Sequence, residues 1–276
     1  MQLENHMALR YVQPLREGGS LPAVVDTDGG LFVVKFRGAG QGPKALIAEL
    51  IVGLLAQELG LPVPGLAIVH VDASFGRAEP DPEIQEILRA SHGVNVGMRY
   101  LDGAFNFDVF AAGDLIDAEL ASRIVWFDAL VTNPDRTHRN PNLLICERQP
   151  WLIDHGAALY AHHAWQSVDE TRLRTPFPLI RDHVLLRQAA HLDDADRHMS
   201  EKLTGELVDG VLASVPDELL TDPLITAEFP SAAETRRRYF DYLTGRVAAP
   251  RAFVAEALRA REARLKEPLQ RRHARR

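Results

Sequence analysis

The sequence has almost no cysteine, no long hydrophobic run and no excess of positive charge. Its single cysteine, Cys146, excludes an internal disulfide and a cysteine-based zinc site, and is typical of a reducing compartment. The most apolar stretch, Ala45–Leu59, carries two glutamates and is too short to span a membrane. The N-terminus lacks the basic and apolar regions of a signal peptide. We therefore expect a cytoplasmic protein with no membrane association.

The charge balance narrows the class of partner. The chain has 276 residues, and its 31 lysines and arginines are outnumbered by 38 aspartates and glutamates, which gives a net charge of −7. Because nonspecific nucleic-acid binding depends on many cationic contacts with phosphates, nucleic acid is a poor candidate partner. The basic end of the chain, RRHARR, is more typical of a solvated terminus than of a binding site.

The hydrophobic pattern changes along the chain from strand-like to helical. Apolar and β-branched runs predict five strands, at residues 10–15, 21–25, 31–36, 66–71 and 94–101. One apolar helix, at 44–59, lies among them. From about residue 105 the pattern predicts helices, the clearest at 118–131, interrupted by one hairpin at 143–153. A capping box formed by Ser231 and Glu234 predicts the start of a later helix.

This order favours an α+β fold with two lobes around a cleft. A small antiparallel sheet and one helix would form an N-terminal lobe at residues 1–102. A mainly helical lobe, which contains the hairpin, would follow at 103–276. The length of the chain allows two lobes but leaves little room for further subdomains.

Two charged residues of opposite sign lie in apolar elements of the first lobe. Lys35 is inside the strand LFVVKF and Glu49 is near the middle of the apolar helix, so burying either is costly unless they pair. Their spacing matches the arrangement in which a helix glutamate holds a strand lysine that reaches nucleotide phosphates. The alternative is that both side chains lie on solvated faces of their elements.

A second group of polar residues surrounds the hairpin. Asp135 follows the long helix in the loop NPDRTHRNPNLLI, which also contains Asn140 and Asn142, and Asp154 ends the hairpin in WLIDHG. Phosphoryl transfer needs one carboxylate to orient the attacking hydroxyl, and an asparagine and a second carboxylate to hold Mg²⁺. Each residue alone is more typical of a turn or a cap. With Lys35 upstream, their order favours a kinase that uses ATP and Mg²⁺.

These motifs resemble those of the HipA-like kinases, which share the protein-kinase-like fold. The resemblance covers about residues 20–160 and depends on NPDRTHRN, on LIDHG in place of D-F-G, and on FVVKF followed by AELIVGLLAQELGLPVP. It implies that Lys35 binds phosphate with Glu49 as its partner, that Asp135 is the catalytic carboxylate and that Asp154 is the principal Mg²⁺ ligand. It also implies transfer of the γ-phosphate of ATP to a serine or threonine of a protein, with room for a regulatory protein partner. The chain looks closest to the short stand-alone members of the family.

The resemblance assigns the nucleotide contacts less firmly. Gly18, Gly19 and Ser20, in the turn REGGS, would cover the phosphates, although the glycine-rich segment RGAGQGP at 37–43 is a rival. Ser20 is also a candidate autophosphorylation site by family analogy. Met98 and Tyr100 lie where a strand would run into a hinge and bind adenine, although an ordinary core strand explains them equally well.

The chain departs from the family pattern in three places. Thr137 intervenes where the family histidine follows Asp-Arg directly, so that His138 comes one position later. Asn140 has the usual spacing of a magnesium ligand, whereas Asn142 has the usual context before an apolar strand. His155 replaces the phenylalanine of D-F-G, which puts a phenylalanine-type switch in doubt. Arg136 would hold a phosphate or form a structural ion pair.

Three other functions compete with a protein kinase. A kinase of a small-molecule or lipid hydroxyl needs the same residues, and a pseudokinase would bind nucleotide without turning it over. A hydrolase with a catalytic metal is suggested by the 11 histidines, several of them near Asp135 and Asp154. However, no H-E-x-x-H or H-x-H motif is present, and the adjacent His162 and His163 would diverge by about 100° on a helix.

Overall fold

The N-terminal part of the chain forms a closed five-stranded barrel. The computed structural model describes residues 3–15, 21–40, 42–77 and 79–268. The strands lie in the order β1-β2-β3-β5-β4 around the barrel. Their bounds are β1 (Glu4–Pro14), β2 (Ala23–Thr27), β3 (Gly30–Lys35), β4 (Leu66–Val71) and β5 (Gly93–Arg99).

The barrel corrects the prediction of an antiparallel sheet. Four of its five strand pairings are antiparallel, but β1 runs parallel to β4, with Glu4–Met7 alongside Ala67–His70. The sequence pattern predicts a strand only from Arg10 onwards, because most of β1 is exposed and lacks an apolar alternation. The unpredicted first half of β1 is the segment that closes the barrel.

Helices and a small second sheet make up the rest of the fold. The sheet is antiparallel in the order β6-β7-β8, and β7 and β8 form the predicted hairpin. Its strands are β6 (Phe105–Asn106), β7 (Leu143–Cys146) and β8 (Gln149–Leu152). The helices are α1 (Gly42–Glu58), α2 (Pro82–Ala90), α3 (Val109–Ala112), α4 (Ala118–Leu130), α5 (Glu170–Leu173), α6 (Leu192–Lys202), α7 (Gly205–Ala213), α8 (Asp217–Leu220), α9 (Pro223–Thr226), α10 (Ala232–Val247) and α11 (Ala252–Lys266). None of the helices in the described part of the chain is long and apolar enough to cross a membrane.

Helix α1 lies between the barrel and the helical part, which explains why it is apolar nearly all round. It packs against β4 and β5 on one side and against α7 and α8 on the other. Two ion pairs tie its N-terminal end to the C-terminal helices. Nζ of Lys44 lies 2.6 Å from Oε1 of Glu228, and Nη2 of Arg37, just before α1, lies 2.5 Å from Oδ2 of Asp222. Glu49 is thereby carried into the interior between the two parts.

Helix α4 positions the loop that contains Asp135. Asp117 caps its N-terminus by accepting a hydrogen bond from the backbone N–H of Leu120 at 2.7 Å. Most of its remaining residues are buried, and it packs against α6 and α11. The helix ends at Leu130, shortly before Asn133-Pro134, since a residue before proline disfavours the helical conformation. The loop therefore leaves the helical core at a fixed point.

Candidate active site

Lys35 is the centre of a buried ion-pair triad. Its Nζ lies 2.6 Å from Oε2 of Glu49 and 2.6 Å from Oδ1 of Asp154. β3 supplies the lysine, α1 the glutamate, and the segment after β8 the aspartate. Lys35 and Glu49 are both buried. Because burying either charge without a partner is costly, the sequence predicts that they pair, as they do here. Fold closure thus brings together three charged residues that are far apart in sequence.

The electrostatics of the triad keep its lysine and aspartate ionised. Burial alone would lower the pKa of Lys35, but the carboxylates of Glu49 and Asp154 outweigh it and raise the pKa. Burial alone would raise the pKa of Asp154, but the nearby Lys35 ammonium lowers it below its usual value. Asp154 also has a left-handed backbone, with φ of 54°, a conformation found mainly where the surrounding structure enforces it.

Asp135 is held by both candidate magnesium asparagines. Its Oδ2 accepts hydrogen bonds from Nδ2 of Asn140 at 2.8 Å and from Nδ2 of Asn142 at 3.0 Å. The backbone N–H of Asp135 donates to Oδ1 of Asn133 at 3.1 Å, which fixes the start of the loop. Like Asp154, Asn142 has a left-handed backbone, with φ of 47°.

Both asparagines can present an amide oxygen to a divalent cation. Since each donates its amide nitrogen to Asp135, the amide oxygen is the end that is left for a metal ion. Asp154 uses Oδ1 to bind Lys35 and is about one-third exposed. Mg²⁺ prefers oxygen ligands and is commonly held by one or two carboxylates together with substrate phosphates. The donor set of Asn140, Asn142 and Asp154 therefore fits Mg²⁺.

One cavity of about 720 Å³ connects these residues. Its polar lining consists mainly of Lys35, Glu49, Arg139, Asn140, Asn142 and Asp154. Its apolar lining includes Val33, Val96, Met98, Leu101, Phe105 and Leu144, together with Tyr100. The cavity thus has both charged and apolar walls, and it lies between the barrel and the hairpin.

A buried network below the loop was not predicted from the sequence. The fully buried carboxylate of Asp128 accepts from Nε of Arg136 at 2.6 Å, from Nε2 of His183 at 2.8 Å and from Nδ2 of Asn133 at 3.0 Å. Arg136 also donates to the backbone oxygen of Asn142. Arg136 is expected from the sequence either to hold a phosphate or to form a structural ion pair. The structure supports the ion pair, because the guanidinium is buried and does not line the cavity. The sequence feature that could have indicated this network is Asp128, a charged residue inside the apolar helix segment WFDAL.

Of the two segments predicted to cover the phosphates, only RGAGQGP lies largely within the described residues. Gly18, Gly19 and Ser20 lie outside the described residues, so their role stays a prediction. The rival segment RGAGQGP does not line the cavity in the part that is described. It packs against the end of α2, where a Cβ on Gly38 would come within 2.6 Å of the Cβ of Ala90. Its backbone is fixed by Asn95 and Ser91 at 2.9 and 3.0 Å, so this segment is a structural connection to α1.

The described residues give no support to a metal hydrolase. Among them, no group of three or more histidine, cysteine, aspartate or glutamate side chains is arranged to hold a metal ion. The prediction that His162 and His163 diverge is wrong, because they lie in a short 3-10 helix and their Nε2 atoms are 3.2 Å apart. His162 also contacts Tyr239, with 3.1 Å between its Nδ1 and the phenol oxygen. His162 belongs to the core of the helical part, whereas His163 is exposed.

The fold of this chain is similar to that of a solved kinase structure. A solved structure with a similar fold is that of a Helicobacter pylori proinflammatory kinase, CtkA, with a TM-score of 0.56 and 12% sequence identity. The match covers 96% of this chain and 100% of the other. No curated protein matches the chain. At this level of identity the likeness concerns the fold alone.

The family follows from the sequence match. The family model described as HipA-like kinase matches residues 12–218. The chain therefore belongs to the HipA-like kinase family, and the predicted resemblance is confirmed. The matched region extends beyond the residues 20–160 in which the motifs lie, and includes α4 to α7.

Proposed function

We propose that this chain transfers the γ-phosphate of ATP to a hydroxyl group. The observation that carries the proposal is the convergence of two groups on one cavity: Lys35 with Asp154, and the asparagine pair that binds Asp135. A kinase family and a kinase-like fold support the same reaction. The two parts of the chain would act as lobes, 1–102 above the nucleotide and 103–276 below it.

Part of the apolar lining of the cavity would hold the adenine ring. Met98 and Tyr100 line the cavity where the chain leaves β5 and enters the connection to the second sheet. Two backbone N–H groups of this segment already donate within the protein. That of Arg99 donates to the carbonyl oxygen of Gly65 at 2.7 Å, and that of Tyr100 donates to the carbonyl oxygen of Leu31 at 3.1 Å. The volume falls within the usual range of about 300–1,000 Å³ for small-molecule sites.

The polar residues of the lining would hold the phosphates and the metal. Lys35 would donate to phosphate oxygens while Glu49 keeps its ammonium oriented. Asp154, with Asn140 or Asn142, would hold Mg²⁺, whose chemistry when bound is to neutralise charge on the phosphates. Asn140 has the usual sequence spacing for this role, and both asparagines donate to the carboxylate of Asp135.

Asp135 would orient the attacking hydroxyl and accept its proton. Its Oδ2 accepts the two hydrogen bonds from the asparagines, so Oδ1 would be the oxygen that meets an incoming acceptor. The backbone N–H of Asp135 is also bound to Oδ1 of Asn133. The attacking hydroxyl would therefore meet a preorganised carboxylate. The family favours a serine or threonine of a protein as acceptor. A small-molecule or lipid hydroxyl is the alternative acceptor.

The experiment that tests the proposal measures Mg²⁺-dependent phosphoryl transfer. Purified protein is incubated with radiolabelled ATP, and ADP release and protein labelling are followed for the wild type, Asp135→Asn and Asp154→Asn. We expect each variant to lose at least about 100-fold in turnover, because each removes a group that acts directly in the reaction. Asp193→Asn, an exposed aspartate on α6, is the matched control and should be unaffected.

The outcome also separates the competing functions. Nucleotide binding without turnover in the wild type would indicate a pseudokinase. Turnover that is equal in Asp135→Asn, Asp154→Asn and the control would contradict the proposal. Labelling of added protein rather than of small hydroxyl compounds would support a protein acceptor.

A further inference from the structure

His155 is attached through its backbone to the barrel side of the site. The residue follows Asp154 directly and its side chain is fully buried. Its backbone N–H donates to Oε2 of Glu49 at 2.8 Å. The same oxygen accepts from Nζ of Lys35. The position of His155 is therefore fixed by the glutamate that orients the lysine.

The imidazole of His155 reaches towards the catalytic loop on the opposite side. Its Nδ1 lies 3.4 Å from Nη2 of Arg136. Because a guanidinium can only donate, Nδ1 is the acceptor and the ring proton is on Nε2. Within the described residues Nε2 has no hydrogen-bond partner, and a buried donor without a partner is costly. The contact with Arg136 is thus the one hydrogen bond that this side chain makes in the described structure.

The ring of His155 fits against helix α1 one turn beyond Glu49. Residue 53 of α1 is a glycine, and a Cβ there would lie 3.5 Å from Cδ2 of His155 and 2.6 Å from Cδ1 of Leu66. Since residues four apart share a face of a helix, the ring packs on the face that carries Glu49. His155 therefore contacts α1 through both its backbone and its ring.

Arg136 extends this connection into the catalytic loop. Its Nε binds Asp128 at 2.6 Å, and it donates to the backbone oxygen of Asn142. The side chain of Asn142 in turn donates to Asp135 at 3.0 Å. A continuous series of hydrogen bonds therefore runs from Glu49 through His155 and Arg136 to Asp135.

We propose that His155 is a positioning residue that fixes the catalytic loop relative to the Lys35–Glu49 pair, through its backbone N–H and its Nδ1. The inference rests on the proposed phosphotransferase function. A phenylalanine here would fill a similar volume but would accept no hydrogen bond from Arg136. The loop carrying Asp135 would then lose one of its fixed contacts with the phosphate-binding side.

Two substitutions separate a hydrogen-bonding role from a packing role. His155→Phe keeps an aromatic ring and removes the acceptor, whereas His155→Asn loses volume but can present an amide oxygen near the position of Nδ1. His162→Phe is the matched control, because His162 is an equally buried histidine that contacts Tyr239 instead of the site. For each protein, kcat and KM for ATP are measured with Mg²⁺, together with the melting temperature.

We expect His155→Phe to lose on the order of 10²-fold in kcat, as small misplacements of catalytic groups do, with KM for ATP changed much less. His155→Asn should retain kcat within about tenfold despite a lower melting temperature, and His162→Phe should lose stability alone. The reverse order, with phenylalanine active and asparagine inactive, would overturn the inference in favour of packing.

The remaining outcomes are also decisive. Equal kcat in His155→Phe and His162→Phe, with an active wild type, overturns the positioning role and leaves the phosphotransferase function standing. A wild type without phosphoryl transfer overturns both. If His155→Phe does not fold, the folded His155→Asn decides alone: retained kcat supports the inference, and a loss of 10²-fold overturns it.

Discussion

Asp128 shows how much a single buried charge contributes to this site. Burial alone would raise the pKa of Asp128, but Arg136 and His183 outweigh it and hold the pKa well below its usual range. The carboxylate is thus ionised and fully paired in the interior. Because it also binds Asn133, it sets the position of the loop that leads to Asp135.

Replacing this carboxylate should therefore be costly. Asp128→Asn leaves the Arg136 cation buried without its counter-charge, and we expect a loss of about 3–5 kcal/mol in the free energy of unfolding, measured in urea. The matched control is Asp241→Asn, which breaks an exposed ion pair with Arg237 and should cost less than about 1 kcal/mol. Equal losses in the two variants would contradict the assignment.

His162 gives a prediction for the pH dependence of stability. Burial, and then the positive charges of His163 and Lys44, lowers the pKa of His162 to about 3. The unfolded chain takes up a proton at His162 below about pH 6.5 while the folded chain does not, so acid favours unfolding. Stability should fall between pH 6.5 and about 3, by roughly 1.4 kcal/mol per pH unit from this residue.

The measurement is urea unfolding at a series of pH values. His162→Phe removes the group that titrates and should give a shallower slope than the wild type. Identical slopes in the two proteins would mean that His162 does not contribute.

At the scale of elements, helix starts are well defined by local chemistry. The serine half of the capping box predicted from Ser231 and Glu234 is present: Oγ of Ser231 accepts from the backbone N–H of Glu234 at 3.2 Å, at the start of α10. The Glu234 carboxylate accepts from the Ser231 hydroxyl at 2.9 Å, not from the backbone N–H as in a full capping box. The unpredicted α2 carries similar signals, since Asp81 caps it and Pro82 occupies its first turn. Between the strands predicted at 66–71 and 94–101 the sequence pattern predicts no helix, because α2 has only nine residues and a largely polar composition.

The cap of α10 gives a prediction of its own. Ser231→Ala removes the acceptor for the N–H of Glu234 and should lower the free energy of unfolding by about 1 kcal/mol. Ser231→Asp keeps an acceptor and should be close to the wild type. Chemical denaturation of the three proteins measures the effect, and an alanine variant as stable as the aspartate variant would show that the cap contributes little.

At the scale of the whole molecule, the sequence predicts local features better than long-range closure. The apolar helix α1 and the contact of Lys35 with Glu49 follow from the cost of burying unpaired charge, which depends on the residues themselves. The pairing of Asp128 with His183 joins residues 55 positions apart, and no local pattern indicates it. The parallel closure of the barrel by β1 was missed for the same reason, because its exposed residues carry no periodic signal.

The net charge of −7 is compatible with the proposed reaction. The cations that matter to the proposed reaction are local, and Lys35 is already neutralised by two carboxylates within 2.6 Å. Nucleotide binding in this cavity, as proposed, would therefore depend on Mg²⁺ together with Lys35 and not on a basic surface.

The most direct test is a crystal structure of the wild-type protein with Mg²⁺ and a non-hydrolysable ATP analogue. The account predicts the adenine beside Met98 and Tyr100, a phosphate within hydrogen-bond distance of Lys35, and a metal ion bound by Asp154. A nucleotide bound elsewhere, or a cavity that stays empty at saturating nucleotide, would contradict it.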